Sequence, residues 1–161
     1  MFFSNVLRSK NGYISEYYTY SEGEVATDDG ERFIDVVPTG LTLGPDGALF
    51  LSSFAGYPYP KGAAYIYRLE DVNKDGDAQD VGEITVFAEG FSSATDLVFA
   101  DDGALLVAEF STDMPALLGD LGPRTAAEIP GRLLRHKNGV TEVVSEGLVS
   151  PTSVVTVEGR I

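Results

Sequence analysis

The sequence repeats itself, and the repeat limits the fold more than any other feature. Residues 38–54 read PTGLTLGPDGALFLSSF, residues 94–110 read ATDLVFADDGALLVAEF, and residues 151–161 read PTSVVTVEGRI. The copies begin at positions 38, 94 and 151, so they are 56 and then 57 residues apart. Each has a threonine in second place, an alternating apolar run and a tight turn leading into a second apolar run. The turns are Pro45-Asp46-Gly47, Asp101-Asp102-Gly103 and Glu158-Gly159. An acidic residue followed by glycine between two alternating runs signals a hairpin, because glycine takes the positive φ such turns require. A fixed period of this size implies repeated supersecondary units, and units of four short strands imply the blades of a β-propeller.

The expected fold is therefore all-β, with four antiparallel strands to a blade and about three blades in one domain. Residues 1–37 would form an outer half-blade, 38–93 and 94–150 two full blades, and 151–161 an inner half-blade. In the first full blade the strands are expected at Gly40–Leu43, Ala48–Ser53, Ala64–Leu69 and Ile84–Ala88. In the second they fall at Thr95–Phe99, Ala104–Phe110, Arg132–His136 and Val140–Ser145. The loop from Ala55 to Gly62 has two prolines and two glycines, which a central strand does not tolerate. Within Ser111–Pro130, a helical turn is expected at Pro115–Gly119 or Thr125–Ile129. Near the start, Lys10-Asn11-Gly12 ahead of YISEYYTY reads as a hairpin, and Leu133 to Glu142 repeats the pattern of Leu7 to Glu16. Ser21–Glu31 reads as an exposed acidic loop. Three blades do not close a ring, and an open end leaves a strand edge unpaired. The expectation is a piece of a longer propeller of about six blades, ahead of a homodimer in which each inner half completes the partner's outer half.

Charge narrows the partners. The chain has 25 acidic against 11 basic residues, a formal net charge of −14. Such a surface repels phosphate backbones and anionic lipid, which argues against nucleic-acid binding and fits a soluble acidic surface or cation binding. There is no cysteine, hence no disulfide and no thiolate metal site. No apolar run approaches the roughly 20 residues of a membrane-spanning helix, and MFFSNVLRSKNG lacks the apolar centre of a signal peptide.

One segment has the spacing of a metal loop: Asp71-Val72-Asn73-Lys74-Asp75-Gly76-Asp77-Ala78-Gln79-Asp80-Val81-Gly82-Glu83. With Asp71 in first place, side-chain oxygens stand at positions 1, 3 and 5 and glycine at 6, as in an EF-hand-type calcium loop. A hard cation there would collect oxygens from Asp71, Asn73 and Asp75, and from Asp77 through its carbonyl. Position 12, usually a bidentate carboxylate, is Gly82, so the shell would be closed by Asp80 or Glu83, with Asp80 favoured. The bland alternative is an acidic turn that solubilises a hairpin tip, but four aspartates within ten residues repel one another unless a cation sits among them. The expected cofactor is Ca2+ in a structural role, tying the third strand of a blade to the fourth.

Catalytic patterns are scarce. The single histidine, His136, precedes Lys137 at a hairpin turn and reads as a surface residue. No nucleophile elbow or phosphate-cradling glycine loop occurs, and a Ser-His-Asp triad would need that same histidine. Asp96 and Glu109 are weaker candidates. Thr39, Asp96 and Thr152 are read as equivalent positions facing a channel mouth, where carboxylates could hold a second cation or polarise a substrate. The alternative preferred is a hydrogen bond from Asp96 tying neighbouring blades.

PTGLTLGPDGALFLSSFAGYPYPKGAAYIYRL, the short strand VFAEGF and ATDLVFADDGALLVAEF together resemble the ScyD/ScyE family of bacterial β-propeller proteins, related to the NHL and gluconolactonase-like propellers. The resemblance runs from Val36 onward. It implies a six-bladed fold and an extracellular or periplasmic location. On this reading the chain is a calcium-binding, non-catalytic binding or scaffold module. The alternative is part of a lactonase-like or sugar-dehydrogenase-like enzyme with its site at the channel mouth.

Overall fold

The structure, a computed structural model, describes residues 15–16, 25–26, 32–56, 59–118 and 125–157. Its strands are β1 (Ser15–Glu16), β2 (Val25–Ala26), β3 (Arg32–Leu43), β4 (Leu49–Ala55), β5 (Ala64–Leu69) and β6 (Ile84–Phe91), followed by β7 (Ala94–Phe99), β8 (Leu105–Glu109), β9 (Gly131–Lys137) and β10 (Val140–Leu148). Among the described residues the one α-helix, α1 (Met114–Leu118), lies between β8 and β9. Strands β3, β4, β5 and β6 form one antiparallel sheet in chain order, and β7, β8, β9 and β10 form a second. The chain is thus all-β, built on two four-strand antiparallel sheets. No helix among the described residues is long and apolar enough to cross a membrane.

The turns follow from the residues that make them. Gly47 and Gly103 have φ of +87° and +79°, a conformation open to glycine without cost, and each closes a hairpin whose backbone bonds are the same. Gly44 N–H donates to Ala48 O and Gly47 N–H to Gly44 O; Ala100 N–H donates to Ala104 O and Gly103 N–H to Ala100 O. In both turns the aspartate also accepts from the backbone two residues on, Asp46 from Ala48 and Asp102 from Ala104. It then reaches an arginine on the third strand of its sheet. Arg68 Nη2 lies 2.8 Å from Asp46 Oδ2, and Arg135 Nη2 and Lys137 Nζ both donate to Asp102 Oδ2. Lys137 and Arg135 hold the Asp102 carboxyl down at about 2, and Arg68 lowers that of Asp46.

Register decides which face each side chain covers. Thr42 lies opposite Phe50 and Leu41 opposite Leu51, so Phe50 and Leu51 point to opposite faces of the first sheet. The Phe50 face carries Ala64, Ile66 and Phe91 and packs against Leu97, Leu105, Val107 and Leu134 of the second sheet in one shared core. Phe50 meets Phe87 and Phe99 edge-on, each with ring centroids 4.8 Å apart. The opposite face of the first sheet holds a smaller cluster of Leu51, Tyr67, Leu69 and Ala78. Only Ser92 and Ser93 separate β6 from β7, and both are buried. Ser93 Oγ donates to Ser111 O and accepts from Ser111 N–H, so neither hydroxyl nor amide is stranded.

Successive repeats are tied by the threonine in second place. Thr39 Oγ1 lies 3.1 Å from Ser52 O, on its own second strand, and 2.8 Å from Ala94 O, at the start of the next repeat. Thr95 Oγ1 makes the same pair of bonds, 3.1 Å to Ala108 O and 3.0 Å to Pro151 O.

Several sequence expectations need correction. β3 begins at Arg32 and runs straight through Pro38 and Gly40, because the ladder breaks register between Pro38 and Leu41 and so spares the proline a donor it lacks. The stretch read as the loop Ser21–Glu31 contains β2, which pairs with Arg32 and Phe33. The helix expected at Pro115–Gly119 is α1, and Thr125–Ile129 forms turns. Of residues 1–37, where an outer half-blade is expected, only β1, β2 and the start of β3 fall within the described residues; the Asn11-Gly12 turn lies outside them.

Candidate cation-binding loop

The loop between β5 and β6 is anchored at both ends and in the middle. Glu70 N–H donates to Glu83 O at 2.9 Å, closing its neck. Ala78 is buried against Leu51, Tyr67 and Leu69, fixing the tip to the sheet. Lys74, Gly76 and Gly82 have φ of +62°, +99° and +95°, so the backbone reverses repeatedly within a short span. Those reversals let side chains accept from the backbone just ahead of them. Asp71 accepts from Asp75 N–H and Gly76 N–H, Asn73 from Asp75 N–H, Asp75 from Asp77 N–H and Asp77 from Gln79 N–H.

The acidic side chains divide into two groups. Glu83 is 3% exposed and faces inward, where Oε1 accepts from Val72 N–H and Asn73 N–H and Oε2 from Asp80 N–H. It staples the loop's backbone from within. Asp75 and Asp80 stay exposed, and both accept from the Asn73 side-chain amide, Asp75 at 3.2 Å. The partial positive charge of that amide thus lies between two carboxylates. Asp71 and Asp77 line a neighbouring hollow of about 350 Å³ together with Asp46 and Glu70. Among the described residues, no three Asp, Glu, His or Cys side chains converge as a metal-holding group. The loop therefore brings Asn73, Asp75 and Asp80 into contact, holds Asp71 and Asp77 in turns beside them, and commits Glu83 to the backbone.

The other candidates are occupied by structural bonds. Asp96 Oδ2 accepts from Ser153 Oγ at 2.8 Å and Val154 N–H at 2.9 Å, and Oδ1 accepts from Leu97 N–H. Asp96 therefore ties one repeat to the next. It is not the counterpart of Thr39 and Thr152. The hydrogen bonds pair Thr39 with Thr95, which places Asp96 in register with Gly40 and Ser153. Glu109 is fully buried, accepting from Ser92 N–H and from Arg132 Nε. Sequence reasoning missed Arg132 as its partner, which lies on a different strand after a long loop.

His136 is not a surface residue. It lies opposite Leu105 and Thr141, on the face turned to the first sheet, and only 9% of it is exposed. Its Nδ1 is 2.8 Å from Thr141 Oγ1, and its ring meets Phe87 edge-on. Burial lowers its pKa from 6.5, since desolvation penalises the charged ring. The unfolded chain takes up that proton near pH 6.5 while the folded chain resists it, so the full stability is present above pH 6.5 and falls as the pH drops below it. Denaturant melts between pH 7.5 and 5.5 should show this loss, with a slope of at most about 1.4 kcal/mol per pH unit for one group. H136Q, which cannot titrate, should flatten it; an unchanged slope would assign the loss to other groups.

No curated protein matches the chain. The family model described as a domain of unknown function, DUF7133, matches residues 24–114, which span the first sheet, the cation-loop candidate and the first hairpin of the second sheet. That is more than half of the chain, which therefore belongs to the DUF7133 family.

Proposed function

We propose that this chain is a calcium-stabilised part of a β-propeller, similar to the ScyD/ScyE proteins, that serves as a non-catalytic binding or scaffold module outside the cytoplasm. The observation carrying the metal reading is the Asn73 amide held between Asp75 and Asp80 on a loop already folded by aspartate turns. Two carboxylates sharing one weak positive dipole are a donor set of hard oxygens suited to a divalent cation. Asp71, Asp75 and Asp80 would hold it, with the Asn73 side-chain oxygen turned inward and the Asp77 carbonyl as a further donor. Glu83 holds the backbone in shape, which leaves Asp80 to close the shell. A bound calcium ion supplies charge neutralisation and nothing reactive. The propeller reading draws on the nearly equal spacing of the repeats and the recurring threonine bonds. The non-catalytic reading draws on Asp96 and Glu109, whose carboxylates are taken up by bonds within the fold.

Calcium added to chelator-treated protein should raise the melting temperature. At a hundredfold excess over Kd the gain is about 2.7 kcal/mol, or roughly 5–10 °C for a chain of this size. D75N and D80N should remove most of that response while leaving the calcium-free melting point unchanged or raised, because each relieves like-charge repulsion. Equal melting in calcium and chelator would refute the metal reading.

A further inference from the structure

We propose that the hollow beside Arg132, where β8 ends and β9 begins, binds a small zwitterion of the α-amino-acid type, its carboxylate on the Arg132 guanidinium and its ammonium on Glu146. The inference goes beyond the calcium reading and uses neither the cation loop nor the closure of a ring. Ser53 and Glu109 hold the same place in the copies that begin at 38 and 94. Ser53 Oγ accepts from Tyr65 N–H and donates to Tyr65 O, so the first repeat closes this corner with a hydroxyl and no charge. The second repeat closes it with the wholly buried Glu109 and Arg132. A buried ion pair gives the fold no clear advantage over an uncharged closure, so the sheet does not require one here. What the pair does is fix a guanidinium. Arg132 Nε donates to Glu109, and among the described residues neither Nη has a partner. The end of the fork is left available for two parallel bonds to a carboxylate.

The hollow measures about 520 Å³ and is lined by Arg132, Thr112, Pro130, Glu146 and Gly147. Glu146 lies opposite Arg132 in the β9–β10 ladder, so the two side chains leave the same face with β-carbons about 4.5–5.5 Å apart. Arg132 nevertheless reaches the other way, to β8, and among the described residues the exposed Glu146 makes no ion pair. A cationic fork and a carboxylate thus border one space without meeting. Thr112 adds a hydroxyl: its N–H donates to Pro130 O, and among the described residues its Oγ1 makes no bond. Arg132 alternates with Leu134, which packs on the first sheet, whereas Pro151 and Ser153 meet the opposite face at Gly131 and Asp96. Residues 151–157 therefore do not bound the hollow. A free anion is repelled by Glu146 and by a net charge of −14, and a simple cation by Arg132; a zwitterion carries no net charge and satisfies both groups.

NMR titration of the 15N-labelled full chain with L-alanine, acetate and ethylammonium tests this. L-alanine should shift the Arg132 Nε–H and the amides of Thr112 and Gly147 saturably, and bind about tenfold or more tighter than either half-ligand. E146Q, at an exposed position, should bring L-alanine down to the level of acetate without moving the melting temperature. R132K, which keeps a cation beside Glu109 but loses the fork, should weaken L-alanine and acetate alike. No saturable L-alanine shift up to about 100 mM, generous for so small a ligand, overturns the proposal. So does an E146Q variant that binds L-alanine as the wild type does or more tightly, the result expected if Glu146 merely pairs with Arg132. Calcium stabilisation without any L-alanine shift defeats this site alone and leaves the cation loop standing.

Discussion

Replacing Arg132 with methionine should cost the fold about 3–5 kcal/mol, the usual range when one partner of a buried ion pair is removed, and lower the melting temperature by roughly 6–20 °C. The two members of this pair are unequally placed. The Glu109 side chain is wholly buried, while that of Arg132 is 27% exposed. Removing the arginine strands a wholly buried carboxylate that has only the Ser92 N–H for company. Removing the acid leaves a guanidinium that can still reach water. E109Q should accordingly cost less than R132M, about 1–3 kcal/mol, because an amide oxygen still accepts from Ser92. The double variant E109L/R132M should recover much of the loss, since an apolar pair of similar volume involves no stranded charge. Urea denaturation of the four proteins measures all of this. An R132M loss below about 1 kcal/mol, near the worth of an exposed ion pair, would mean that the Glu109 carboxylate has found water or another donor.

That ion pair shows where a sequence stops being informative. The hairpins were readable because alternation and Asp-Gly turns are local, and strand β5 at Ala64–Leu69 falls where its pattern placed it. Glu109 instead reads as the polar end of an apolar run, LLVAEF, and nothing nearby says that Arg132 will arrive opposite it on β9. The turn aspartates follow the same rule. Asp46 meets Arg68 and Asp102 meets Arg135, pairs that look unrelated in either repeat alone and become recognisable once the repeats are aligned on their glycines. The acidic loop lies between these cases. Its alternation of oxygen-bearing side chains at positions 1, 3 and 5 is legible, because that is a local pattern. The inward turn of Glu83 is not, because that depends on where the neck of the loop closes. The burial of His136 is illegible for a similar reason, since proximity to a turn says nothing about Phe87 packing over it.

The second large effect is expected from G131A, and its cause is purely steric. A methyl group at Gly131 would stand below 3.0 Å from the carbonyl oxygen of Glu109, 2.7 Å from that of Phe110 and 2.5 Å from Pro151 Cδ. Two of those three neighbours are backbone, which cannot rotate away as a side-chain tip can. Overpacking of this kind costs about 1–3 kcal/mol where side chains can yield, so G131A should reach or pass the upper figure. The damage should also spread. Glu109 lies opposite Arg132 in the β8–β9 ladder, so prising these strands apart opens the buried ion pair, while displacing Pro151 pulls on the Thr95 bond that joins the second repeat to the third. G103A provides the contrast. Gly103 has φ of +79° with nothing within 4 Å of the added methyl, so only backbone strain of about 1–2 kcal/mol is expected. Denaturant midpoints for the two variants separate crowding from strain. If G131A and G103A lose similar amounts, β9 can slide away from β8 at its first residue, and the close packing of Gly131 against the third repeat is not what holds that repeat in place.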